Sequence, residues 1–290
     1  MIKNNLILNC PVTLDDIERA SKIYGANIAA LKGKTVRTKS DPVISDYIAV
    51  PEAVLHANKN VTFSANIMFV NKIPFFTTVS RDIKFTTVEG IETRTVRQLV
   101  DSTVKVRALY SARGFKLTNA NLDGEFLPMR RHLQETGILG NFSTRSKHVP
   151  EIERQIRVLK ERARACRHTL PFKYLPRLIV IEMLNNCALW LNVFPPKGGV
   201  STISPRTLIT GVKFDYTKHC KLPFGAYAQV HEEPSTSNSQ VARTVGAIFL
   251  GPTGNQQGGY KFFNLCTGKR ITGRKWTPLP MPHDVIARVN

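Results

Sequence analysis

The chain has 290 residues, of which 42% are hydrophobic, enough for one large domain plus a small one and for a buried core. Lys and Arg number 41 against 21 Asp and Glu, a formal charge of +20, and that field draws polyanions, with nucleic acid first among them. An anionic membrane surface is the competing partner, but the basic residues are spread through folded-looking segments and no long apolar or amphipathic anchor gathers them.

No secretory signal is expected, because Asp15, Asp16 and Glu18 interrupt any apolar core near the start. The most apolar later stretch, "RLIVIEMLNNCALWLNVFPP", is broken by Glu182, Asn185 and Asn186, too polar for a span of about 20 apolar residues. No membrane association is expected. Cys10, Cys166, Cys187, Cys220 and Cys266 are odd in number and far apart, which fits reduced thiols in an intracellular compartment better than a disulfide framework or a zinc knuckle.

Residues 13 to 31 start with Thr13 as a cap and Asp15 and Asp16 in the first turn, and run helically until Gly25 interrupts them. "LKGKTVRTKSDP" follows as a basic linker. Its "GKT" is not a phosphate loop, because Ile28 stands where that motif needs glycine, and Phe263 excludes "TGKR" in the same way. From Val61, "VTFSANIMFV", "IPFFTTVS" and "IKFTTVE", separated by "NK" and "RD", read as a three-stranded meander. A helix is expected from about Glu92 to Ala112, closing at Gly114, then a fourth strand, "FKLTNANL", leading to Asp123.

Pro150 opens a second helix. Ile152, Ile156, Leu159, Ala163 and Cys166 recur at spacings of four, three, four and three, a single apolar stripe. One residue on, Glu153, Arg157, Lys160, Arg164 and Arg167 repeat the spacing, so Glu153 heads a basic ridge suited to a phosphate backbone, with Arg154 beside it. A merely solvated charged face is the alternative. Glu151 lies about 200° away around the helix, so the two acids serve different sites; a first-turn acid favouring the helix dipole is the reading for Glu151. Trp190 and Phe194 read as core, and His148 as a loop residue. After Leu222, "AYAQVHEE", "RTVGAIFLGP" and "GYKFFNLCTGKRITGRKWTPLP", punctuated by Gly and Pro around a polar "PSTSNSQ" loop, suggest a small β-barrel. Lys269, Arg270, Arg274 and Lys275 there are candidate DNA contacts.

The order strand, strand, strand, helix, strand, helix is that of an α/β ribonuclease H-like core with a mixed sheet. Phosphodiester strand transfer by two metals needs carboxylates converging from separate elements; Asp123 at a strand's end and Glu153 on the following helix form such a pair. Read locally, Asp123 before Gly124 is more readily a turn acid, and Glu153 equally a partner of Arg157 four residues on.

"ANIMFVNKIPFFTTVSRDIKF", "LDGEF", "HVPEIERQIRVLKER" and "LPMPHDVI" resemble the integrase region of copia-class LTR retrotransposon polyproteins. That resemblance implies an Asp, Asp, Glu metal triad in which Asp123 matches the second member, Glu153 the third, and Asn66 occupies the place of the first. It implies Mg²⁺ or Mn²⁺ as cofactor, DNA as partner, a homo-oligomer, and a nuclear or cytoplasmic-particle location. It also implies three regions: a helical linker region at 1–58, a ribonuclease H-like catalytic core at 59–215, and an SH3-like barrel with tail at 216–290. A neutral amide at Asn66 leaves two divalent ions less neutralised, so DNA integration is expected to be weak or lost, and Asp82, in a turn, offers no substitute. The His, His, Cys, Cys zinc module of related integrases has no counterpart, and the chain reads as an excised or decayed copy of one polyprotein region. An active strand transferase and a non-catalytic basic DNA-binding protein are the alternatives.

Overall fold

The computed structural model describes residues 9–34, 42–43, 46–143, 149–200, 202–232 and 240–290. His148, most of the basic linker and nearly all of the "PSTSNSQ" loop lie outside them. In chain order the principal elements are α1 (Leu14–Tyr24), α2 (Ile28–Gly33), α3 (Glu52–Asn58), β1 (Asn60–Val70), β2 (Ile73–Ser80), β3 (Thr86–Gly90), α4 (Val96–Ser111), β4 (Lys116–Leu122), a 3-10 turn (Gly124–Met129), α5 (Arg130–Glu135), β5 (Leu139–Phe142), α6 (Pro150–His168) and α7 (Arg177–Val193). There follow β6 (Tyr227–His231), β7 (Thr244–Pro252), β8 (Tyr260–Asn264), β9 (Arg270–Gly273) and β10 (Trp276–Pro278). They divide into two compact units: Ile44–Leu170 with Arg177–Tyr216, and Met1–Val43 with Pro171–Pro176 and Thr217–Asn290.

The larger unit is mixed α/β. Its five-stranded sheet runs β3-β2-β1-β4-β5, with the meander antiparallel and β1, β4 and β5 parallel. Asn71 and Lys72 both take positive φ (49° and 64°), the left-handed pair that a two-residue hairpin needs to match strand twist. β3 starts later than expected, because Lys84 also turns left-handed (φ 59°) and takes Ile83 and Phe85 out of the ladder and into the core. Alternation along β1 puts Val61, Phe63, Ala65 and Ile67 into one core with Leu99, Val106 and Tyr110 of α4. The opposite face carries Ser64 and Asn66, and α6 packs there against β1 and β2.

On α6, Ile152, Leu159 and Ala163 are buried, while Ile156 and Cys166 at the stripe's margins are half-buried. The polar-broken stretch "RLIVIEMLNNCALWLNV" is helix α7, which packs on β3 and α6. Asn192 Oδ1 accepts from Thr86 N at 2.8 Å and its Nδ2 donates to Thr86 O at 2.7 Å. The amide thus takes the place of a neighbouring strand along the free edge of β3, whose backbone groups need partners. Phe194 corrects the core expectation: it lies past the end of α7, 62% exposed, stacked at 6.3 Å on a half-buried Trp190.

In the smaller unit, Thr13 caps α1 in a capping box with Asp16, and Lys32 O on α2 accepts from Arg243 N just before β7. Its sheet is antiparallel in the order β10-β6-β7-β8-β9. Among the described residues no ladder joins β9 to β10, so the expected closed barrel is seen as an open sheet. The sheet is nevertheless strongly curled. Flat, its edges would stand about 19 Å apart, yet Gly273 ends β9 and Trp276 begins β10, a separation of three residues that spans at most about 11 Å. A Cβ on Gly273 would meet Val230 Cγ1 of β6 at 2.6 Å, so only glycine admits this approach.

Candidate functional site

In the parallel ladder Ser64 pairs with Asn121 and Ala65 with Leu122. Asn66 and Asp123 are the next residues along the chain on each side, so they stand side by side where β4 ends and β1 runs on paired with β2 alone. Leu122 enters the core with Ala65, and alternation turns Asn121 and Asp123, still extended at φ −73°, ψ 160°, to the face that carries Ser64 and Asn66. The start of α6 lies over that same face, because Ser64 Oγ donates to Glu151 Oε2 at 3.3 Å.

Each polar group has local partners. Asn66 Oδ1 accepts from Ile67 N at 2.6 Å. Asp123 Oδ1 accepts from Gly124 N at 2.7 Å, where it caps the 3-10 turn, and from Ser143 Oγ at 3.3 Å. Glu125, two residues beyond Asp123, brings a second carboxylate to this place. Burial pushes its carboxyl up; Arg94, with Nη1 3.7 Å away, opposes this, the charge of Asp123 adds to it, and a hydrogen bond from Ile67 N lowers it again. Sequence reading missed Glu125 because "DGEF" has the look of a turn.

The two acids of the first turn of α6 have parted. Glu151, read as a dipole acid, is the one turned to the sheet: beyond Ser64, its Oε1 accepts from Lys84 Nζ at 2.8 Å, and Arg81 Nε stands 3.8 Å from Oε2. Glu153 is exposed at the head of the ridge. Arg154, Arg157 and Arg164 are exposed and Lys160 and Arg167 half-buried along α6. In the other unit Lys269, Arg270 and Arg274 are exposed and Lys275 half-buried. Asp82 sits in the β2–β3 turn.

The donor set bears on the expected cations. Among the described residues, no group of three or more His, Cys, Asp or Glu is arranged to hold a metal ion. Asn66 contributes a neutral carbonyl oxygen already engaged by Ile67 N, and Asp123 keeps Oδ2 beyond its two bonded contacts on Oδ1. Such a set does not fit two divalent ions, which need several anionic oxygens between them.

No protein-family model matches the chain, and no curated protein matches it. Among solved structures, the catalytic core domain of BIV integrase is similar at 16% identity and a TM-score of 0.39, over 51% of this chain and 92% of that one. No helix among the described residues is long and apolar enough to cross a membrane.

Proposed function

We propose that this chain is a copia-class, retrotransposon-derived integrase-like protein that binds duplex DNA and in which DNA integration is impaired by Asn66. The observation that carries the reading is the register of β1 and β4, which sets Asn66 beside Asp123 on the face that α6 covers. The end of β4 beside the middle of β1, under a helix N-terminus, is where a carboxylate triad for phosphodiester chemistry would be assembled. By the resemblance Asp123 and Glu153 stand at inherited positions for Mg²⁺ or Mn²⁺ ligands, a set that with Asn66 no longer supplies the anionic oxygens two ions need. Asn66 is the degenerate first member. The ridge of Arg154, Arg157, Lys160, Arg164 and Arg167 would hold the DNA backbone, with Lys269, Arg270, Arg274 and Lys275 adding contacts from an SH3-like module. A homo-oligomer in the nucleus or in a cytoplasmic particle belongs to the same reading.

A strand-transfer assay with labelled duplex ends and Mg²⁺ or Mn²⁺ tests it. The chain is expected to be inert or nearly so, and Asn66→Asp to restore turnover that Asp123→Ala then removes. Appreciable turnover by the unaltered chain, lost on Asp123→Ala, would instead establish an active strand transferase.

One observation favours a second reading, a non-catalytic basic DNA-binding protein: the α6 acid facing the sheet is Glu151, and it is held by Lys84. Under that reading Asn66→Asp restores nothing while duplex binding stays intact.

A further inference from the structure

A concave pocket of about 350 Å³ opens in the smaller unit, lined by Lys221, His231, Arg274, Lys275 and Trp276. It is built on the sheet. His231 N donates to Lys275 O at 3.0 Å, and Trp276 pairs with Val230 where β6 meets β10. The indole is fixed edge-on against Tyr260, with ring centroids 5.6 Å apart at 84°. Among the described residues no carboxylate lies within ion-pairing distance of Lys221, Arg274 or Lys275. Burial, then Lys275 and Lys34, push the His231 imidazolium down, as expected where cations crowd without a counter-charge.

We propose that this pocket binds a phosphate together with the adjoining base of a single-stranded nucleic acid, the phosphate among Lys221, Arg274 and Lys275 and the base on Trp276. Size and chemistry both point there. The volume lies in the range of small-ligand sites, large enough for one nucleotide and too small for a duplex. Uncompensated cations select an anion. In a duplex every base face is covered by its stacked neighbours, so an indole lining a pocket of this size can meet a base face only where the strand is unpaired. The site is distinct from the α6 ridge and does not depend on that ridge holding DNA.

The test compares a dye-labelled oligo(dT) with a duplex of equal length, both titrated into the full chain and read by polarisation and tryptophan emission. Oligo(dT) is expected to quench emission and the duplex to leave it unchanged. Lys221→Gln should weaken oligo(dT) about fivefold and duplex less than twofold, while Trp276→Leu abolishes the quench. Lys221 is exposed, so its variant serves if Trp276→Leu fails to fold. Equal losses for the two ligands, or an oligo(dT) affinity unmoved by Lys221→Gln, would overturn the proposal. Loss of duplex binding on altering the α6 ridge, with the oligo(dT) response intact, separates failure at one site from failure at the other.

Discussion

Lys84 donates to Glu151 at 2.8 Å across 67 residues of sequence, with both side chains largely shielded (28% and 21% exposed). The pair pins the first turn of α6 to the β2–β3 turn, while Ser64 ties the other carboxylate oxygen to β1. The acid among the cations at the start of α6 is therefore first a fastener.

Glu151→Ala is expected to cost about 1 to 2 kcal/mol, since it strips partners from a shielded charge. Glu153→Ala, at an exposed position, should cost less than about 0.5 kcal/mol. Urea unfolding of the two variants checks this, and equal losses would contradict it.

Glu125 gives a pH signature. Its carboxyl is raised in the folded state, so its contribution is fully present below the unfolded pKa and declines as pH rises through the folded value. Glu125→Gln should therefore raise the melting temperature at neutral pH, and the gain should vanish below about pH 4, where the unfolded carboxyl is also neutral. A constant gain across the range would show that charge is not the cause.

Asn66→Asp would set a further negative charge beside Asp123 and Glu125. In chelator the variant should melt below the unaltered chain, and millimolar Mg²⁺ should raise its melting temperature, because binding to the folded state alone stabilises it. The unaltered chain should respond little. Thermal melts with and without Mg²⁺ decide it without any turnover measurement.

Replacing Arg157, Lys160 and Arg164 by Gln should lower the slope of log affinity against log salt for duplex DNA by about 2 to 3, one counterion for each phosphate that the ridge no longer neutralises. A slope that does not change would mark the ridge as a solvated face.

Gly273→Ala should destabilise the smaller sheet by about 1 to 3 kcal/mol through overpacking, because the new methyl would fall 2.6 Å from Val230 Cγ1. Combining it with Val230→Ala should recover part of the loss. Denaturant titration of the single and double variants measures both.

The succession of β1, β2, β3, α4, β4 and α6 along the chain was legible because short apolar runs rich in Phe, Ile, Val and Thr are separated by turns such as "NK". The α6 stripe was legible too, since its apolar residues keep a helical spacing. Helix α7 was not read, because it is buried on several sides, with Ile179, Glu182, Leu184 and Cys187 all covered, and a helix covered all round shows no apolar stripe. The start of β3 was misplaced because the left-handed turn at Lys84 interrupts a run whose composition reads as strand. At the candidate site, Asn66 and Asp123 could be named from local phrases, and parallel pairing set them side by side. The bond between Glu151 and Lys84 and the approach of Glu125 to Ile67 join distant segments, and no local pattern carries them.

The curl of the smaller sheet has a mechanical consequence. Both of its borders belong to one run of backbone, Arg270 to Pro278, hinged at Arg274 and Lys275. A trypsin cut at that hinge would release the two flanks together, so the sheet should come apart in one step instead of fraying from either side.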